Sequence, residues 1–139
     1  MRMLDRIDVF VPDGGPAGLG FIEGSKEVEP GAWFFKAHFY QDPVWPGSLG
    51  LEAFLQLLKV AAREYWPDDA RPMFLAVSAP HAWIYRGQVI PTSSRVQVQA
   101  VVTARDKAAR QLTADGFLLV DGLPIYQMKD FTLRMDVGP

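Results

Sequence analysis

The feature that most constrains this fold is one helix-forming segment, residues 48–65, that is apolar on nearly its whole circumference. A helix on a protein surface carries an apolar stripe on one face only, so this segment must be covered on most sides. When the segment is projected as a helix, four of its polar residues share one narrow stripe: Glu52, Gln56, Lys59 and Arg63. The rest of the chain must therefore supply an extended surface that wraps around the helix.

Segments with apolar and polar residues in alternation, bounded by turn residues, predict β-strands on both sides of this helix. They cover residues 4–11, 19–28, 73–78, 82–90, 95–103, 112–120 and 125–135. Asp121-Gly122 predicts a hairpin turn, and Asp115-Gly116 predicts a bulge inside a strand. We therefore expect an α+β fold in which a single curved antiparallel sheet wraps around one long central helix. This arrangement buries both the apolar helix and the apolar face of the sheet.

Length and composition exclude several classes of protein. At 139 residues the chain has the size of one domain, so we expect a single domain over residues 1–139. The absence of cysteine excludes disulfides, thiolate catalysis and cysteine-ligated metal sites. A net charge of -2 provides no basic field for nucleic acid, and no apolar run approaches the roughly 20 residues that span a membrane. Without a signal peptide, we expect a cytoplasmic protein.

Residues 33–53 hold the side chains best suited to catalysis. His38 lies among aromatic residues, upstream of a Pro-Gly pair at the start of the helix, and Glu52 lies in its first or second turn. The unpaired N–H groups and the dipole at a helix N-terminus favour negative charge nearby. An imidazole and a carboxylate beside such a position can serve as an acid–base pair.

Both side chains also have a purely structural interpretation. A histidine among aromatic residues can be a core residue bonded to the backbone, and Glu52 can belong with Lys59 and Arg63 to a solvated stripe of the helix. The second histidine, His81, precedes an apolar segment and has no carboxylate at a useful spacing, so we expect it to be structural. The residues around His38 and Glu52 decide between these interpretations.

Those residues resemble the active-site motif of the β-hydroxyacyl-acyl carrier protein dehydratases, which have the hotdog fold. The matching positions are His38, Phe39, Asp42, Pro43, Pro46, Gly47, Glu52, Ala53 and Gln56. The 3-hydroxydecanoyl-type branch is similar in its Trp-Phe-Phe before the histidine and in its Pro-Gly-x-Leu-Gly-Leu run into the helix. Dehydratase domains of bacterial polyunsaturated fatty acid and polyketide synthases are more similar still, and the similarity covers most of the chain.

The resemblance implies an enzyme that removes water from a 3-hydroxyacyl thioester on acyl carrier protein to give the trans-2-enoyl thioester. Such a reaction belongs to fatty acid, polyunsaturated fatty acid or polyketide synthesis. His38 would remove the α-proton, and Glu52 would protonate the departing β-hydroxyl. The substrate would be carried on the phosphopantetheine of the carrier protein. The resemblance implies no metal or redox cofactor.

The resemblance also implies roles for the residues around this pair. The thioester oxygen would bind at two positions where the helix begins: Gly47 and Ser48. The Val44 carbonyl would hold the second ring nitrogen of His38, and Gln56 would orient Glu52. Three residues would line the acyl tunnel: Phe39, Trp45 and Pro46.

In this family the catalytic histidine and acid come from different protomers, so the resemblance implies a homodimer or pairing with a second hotdog domain. Two alternatives remain open, because the hotdog fold hosts several functions. One is an acyl thioesterase that uses Glu52 to activate water; the other is a silent domain that binds acyl groups or completes a dimer. Also open are the acyl chain length, the trans-2 to cis-3 isomerisation, the stereochemistry, and whether the chain is free-standing or a domain of a synthase.

Overall fold

The fold is built around one long helix. The structure, a computed structural model, describes residues 2–29, 31–32, 47–77, 79–90 and 92–135. Helix α1 spans Gly47–Tyr65, and it is the only helix within those ranges. From Leu49 to Tyr65 every residue except Glu64 is buried or half-buried, as its apolar circumference requires. No helix among the described residues is long and apolar enough to cross a membrane.

In the described part of the chain, seven strands form one curved antiparallel sheet around α1. They are β1 (Arg6–Val11), β2 (Phe21–Glu27), β3 (Met73–Leu75), β4 (Ala82–Tyr85), β5 (Arg95–Asp106), β6 (Gln111–Val120) and β7 (Leu123–Met135). The order in the sheet is β1-β2-β5-β6-β7-β3, and β4 pairs with another stretch of β7. The predicted arrangement of one helix and a wrapping antiparallel sheet is therefore confirmed.

Three strands differ markedly from their predicted lengths. β3 ends at Leu75 although the pattern predicts a strand to residue 78, because β7 offers it only three partners, from Leu133 to Met135. β4 ends at Tyr85 although the pattern predicts a strand to residue 90, because β7 offers it only the four partners from Tyr126 to Lys129. β5 runs three residues beyond the predicted end at Thr103. Its last four residues are exposed, so no core face imposes an apolar alternation there, and the sequence pattern carries no signal for this extension.

The concave face of the sheet supplies the core that covers α1. In β5, Val96, Val98, Ala100 and Val102 are all buried, which confirms the predicted apolar face. The ring of Phe54 in α1 packs edge-on against Phe131, with ring centroids 5.4 Å apart.

Both predicted irregularities of the sheet are present. The register of β6 and β7 shifts between Ala114 and Gly116, which confirms the bulge. Asp121 and Gly122 have φ values of 49° and 85°, as the two central residues of a tight hairpin turn require. A Cβ at Gly116 would overlap the Phe54 ring, so the bulged strand lies directly against the helix.

Replacement of Phe54 tests this packing. Phe54→Ala should lower the free energy of unfolding by about 3–5 kcal/mol, because it leaves a cavity beside Gly116 and Phe131. The matched control is Phe117→Ala, since Phe117 is 43% exposed, and its effect should stay below about 1 kcal/mol. Urea denaturation at one fixed protein concentration measures both, and equal losses would contradict the packing described here.

Candidate functional site

The described part of the candidate site lies on helix α1. Gly47 and Ser48 are the first two residues of α1, and Glu52 and Gln56 follow within it. The remaining predicted site residues lie outside the described residues: His38, Phe39, Val44, Trp45 and Pro46. Their roles, and those of Gly47 and Ser48, remain predictions.

The start of α1 places backbone donors that have no partner inside the helix close to a carboxylate. Because the helix begins at Gly47, the N–H of Gly47 is one of the first four, which have no partner inside the helix. The first turn contains no acidic residue. Glu52 lies in the second turn, about 8 Å further along the axis at 1.5 Å per residue. A site for negative charge and an acid–base group are thus close together.

The structure brings together two of the predicted site residues, Glu52 and Gln56. They are four residues apart, so they lie on one face of the helix. The Gln56 Nε2 donates a hydrogen bond to Glu52 Oε1 at 3.2 Å. Both side chains are half-buried. Gln56 therefore restricts the orientation of the Glu52 carboxylate.

The first turn of α1 is packed against an aromatic cluster formed by Trp83 and Tyr85 of β4 and Tyr126 of β7. A Cβ at Gly50 would overlap the Tyr126 ring, so this approach depends on glycine. The rings of Trp83 and Tyr85 each lie 5.6 Å from that of Tyr126. Burial, with a contribution from Tyr85, raises the pKa of Tyr126 to about 12.

The sequence pattern does not predict the position of Tyr126 at the helix start. The available signal was Gly50, because glycine inside a helix is unfavourable and often marks a close approach of another element. Nothing in the sequence indicates which element makes that approach.

Two cavities in the described parts of the chain lie away from Glu52. One, of about 240 Å³, is on the outer face of the sheet beside Phe21 and Phe117. The other, of about 670 Å³, lies at the far end of α1 beside Tyr65 and Arg105. Neither is lined by Glu52, so the helix start rather than either cavity defines the candidate site.

Several basic side chains form hydrogen bonds and ion pairs at the opposite end of α1. Arg63 donates to the backbone carbonyls of Asp69 and Arg71. The Asp69 carboxylate pairs with Arg71 at 2.7 Å and with Arg110 at 3.7 Å. Arg63 is half-exposed on the polar stripe of the helix, and its guanidinium also fixes the chain that leaves the helix. About 27 Å of helix separates these groups from Gly47.

His81 has the structural role expected for it. Its Nδ1 lies 3.0 Å from the Ala79 carbonyl oxygen, and its ring packs edge-on against Phe131. In the described ranges, no group of three His, Cys, Asp or Glu side chains is arranged to hold a metal ion.

Comparison with known sequences gives two findings. Residues 1–129 match the FabA-like domain. The chain is also 37% identical, over 146 aligned residues, to a polyunsaturated fatty acid synthase subunit of Thraustochytrium sp. (strain ATCC 26185 / S-3). That match covers 99% of this chain and 10% of the relative, so the chain spans about a tenth of the relative's length.

Solved structures with a similar fold include one named as a dehydratase heterocomplex and one named as a hypothetical thioesterase. The dehydratase heterocomplex ApeI:P from Xenorhabdus doucetiae has a TM-score of 0.65 at 12% identity, covering 84% of this chain and 75% of that one. A hypothetical thioesterase with coenzyme A from Streptococcus pneumoniae TIGR4 has a TM-score of 0.61 at 8% identity, covering 84% and 78%. These likenesses show the hotdog fold and nothing finer.

The raised pKa of the buried Tyr126 phenol allows the packing at the helix start to be tested. Its pKa of about 12 in the folded protein exceeds the ordinary value of about 10. The neutral phenol therefore contributes stability that is complete below about pH 10 and is lost as the pH rises toward 12.

A titration of tyrosinate absorbance should show a phase near pH 12 that disappears in Tyr126→Phe. The control Tyr85→Phe replaces an exposed tyrosine of the same cluster, and it should leave that phase in place. Loss of the phase in the control alone would show that Tyr126 is not the buried group.

Proposed function

The chain belongs to the FabA-like domain family, and from that premise we propose that it is a 3-hydroxyacyl-[acyl-carrier-protein] dehydratase of the cytoplasm. The substrate is an acyl chain on the phosphopantetheine of acyl carrier protein, in fatty acid, polyunsaturated fatty acid or polyketide synthesis. The observation that carries the proposal is the Glu52–Gln56 pair, held in the second turn of a helix that begins at Gly47. The relationship to a polyunsaturated fatty acid synthase supports the choice of pathway.

The proposed dehydration requires only proton transfers by an acid and a base. His38 takes the α-proton, and the electron pair of that C–H bond forms the α–β double bond. The bond from the β-carbon to its hydroxyl breaks, and the oxygen leaves as water with a proton from Glu52. Proton exchange with solvent then returns both groups to their starting states, so no metal or redox cofactor enters the reaction.

The start of α1 suits the negative charge that develops on the thioester oxygen when the α-proton leaves. The N–H of Gly47, which has no partner inside the helix, lies with Ser48 at the helix N-terminus, where the helix dipole is positive. Donors fixed in advance at such a point stabilise the transition state more than the ground state. The Val44 carbonyl holds the His38 ring, and the acyl chain passes three further residues: Phe39, Trp45 and Pro46.

The exposed edge of β4 supports pairing with a second hotdog domain, either a copy of this chain or a different one. Among the described residues, β4 pairs with β7 on one side only. Its apolar side chains are 37% exposed at Trp83, 46% at Ile84 and 49% at Tyr85. An open strand with exposed apolar side chains is a template for a further strand, so we propose that a partner covers it and completes the site.

The two histidines of the chain allow a matched test of the reaction. Mass spectrometry of a 3-hydroxyacyl carrier protein should show loss of one water with the wild type. His38→Ala should slow this loss by roughly two to four orders of magnitude, the usual contribution of one acid–base group. His81→Ala should retain the wild-type rate.

Two outcomes would contradict the dehydratase proposal, and a third would contradict the role of His38. Release of the free acid and thiol would identify a thioesterase, the function named for one structural neighbour. No reaction with short or medium chains, from a protein confirmed to be folded and paired, would identify a silent partner domain. Equal losses in His38→Ala and His81→Ala would remove the special role of His38.

Co-expression of two inactive variants tests whether a homodimer builds the site from both protomers. His38→Ala retains Glu52, and Glu52→Gln retains His38, so a mixed dimer has one complete site. Random pairing should restore about a quarter of the wild-type sites, whereas each variant alone stays inactive. Absence of rescue in a mixed dimer that is confirmed by mass would show that both residues act within one protomer.

A further inference from the structure

The amino-terminal segment of the chain reaches the candidate site. The backbone N–H of Met3 donates a hydrogen bond to Gln56 Oε1 at 2.7 Å. The same Gln56 amide donates through Nε2 to Glu52 Oε1 at 3.2 Å. Met3, Gln56 and Glu52 thus form one chain of hydrogen bonds between residues that are far apart in sequence.

The hydrogen bond from Met3 sets the orientation of the Gln56 amide toward Glu52. A backbone N–H can only donate, so it selects the oxygen of the Gln56 amide and leaves the NH₂ group to face Glu52. The Met3 N–H therefore restricts Gln56 to the role of donor toward Glu52.

Met3 is itself held firmly. Its side chain is fully buried, and that of Leu4 is 7% exposed. Just after them, the Asp5 N–H donates to the Ser25 carbonyl at 2.8 Å, and its Oδ2 accepts from the Glu27 N–H at 2.9 Å. The segment is thus anchored in the core and on β2, which fixes the direction of the Met3 N–H.

We propose that the Met3 N–H is a positioning group of the dehydratase site, and this inference rests on the function proposed above. Because the Glu52 Oε1 faces a donor, a protonated Glu52 carries its proton on Oε2. Oε2 is therefore the atom that delivers the proton to the departing hydroxyl.

Two substitutions at the same position separate packing from hydrogen bonding. Met3→Ala shortens the buried side chain and keeps the N–H, whereas Met3→Pro also removes the N–H. We expect kcat of Met3→Pro to be about 3- to 10-fold below that of Met3→Ala, the effect of one hydrogen bond. KM should be equal in the two variants, because the group acts on proton delivery and not on substrate binding.

A double-mutant cycle distinguishes a positioning role from a merely structural one. If the Met3 N–H acts through the Gln56 amide, the kcat difference between Met3→Pro and Met3→Ala should vanish in a Gln56→Leu background. An unchanged difference in that background would overturn the inference, and so would equal kcat values of the two Met3 variants with Gln56 intact.

Direct observation of the hydrogen bond keeps the inference testable if Met3→Pro does not fold. In the isotope-labelled wild type, NMR should detect a coupling across the bond between the Met3 backbone nitrogen and the Gln56 side-chain carbonyl carbon. Absence of that coupling in a spectrum that resolves backbone couplings of the sheet would overturn the inference. A wild type that does not dehydrate would instead overturn the proposed function, whatever the Met3 variants show.

Discussion

Burial of α1 against the concave face of the sheet is the interaction on which the rest of the structure depends. A helix that is apolar on most of its surface can exist in water only when strands cover it on several sides. Polar groups on such a helix are tolerated where they find partners, because an unpaired polar group is costly to bury. Glu52 and Gln56 meet this requirement by pairing with each other and with the Met3 backbone. The same burial that stabilises the fold therefore orders the proposed acid.

Close approach of helix and sheet is possible because glycines remove side chains at the contacts. Gly50 admits the Tyr126 ring, and Gly116 of the bulged strand admits the Phe54 ring. One contact lies at the first turn of α1 and the other one turn further on. Together they set the distance and rotation of the helix relative to the sheet, and hence the direction of the unpaired N–H groups at its start.

Much of the fold could be predicted because its signals are local. The apolar circumference of α1, the alternation in β5 and the turn at Asp121-Gly122 each depend on neighbouring residues. The bounds of β4 and the far end of β5 could not be predicted, since partner strands and solvent decide them. In the site, the i,i+4 spacing places Glu52 beside Gln56, but the contacts of Met3 and Tyr126 join distant parts of the chain. No local pattern encodes them, and His38 remains a prediction from its motif.

The strand order has a consequence for how the chain folds. β5, β6 and β7 are consecutive hairpins, which close short loops and form early, whereas β2 must pair with β5 across most of the sequence, as Phe21 does with Val101. Closing so long a loop carries a larger entropic cost, so we expect the β1–β2 hairpin to dock last. Met3 lies just before β1, so it docks together with that hairpin. The polar chain through Gln56 to Glu52 is then completed in the final folding step, and a partly folded protein has a core before it has an ordered acid.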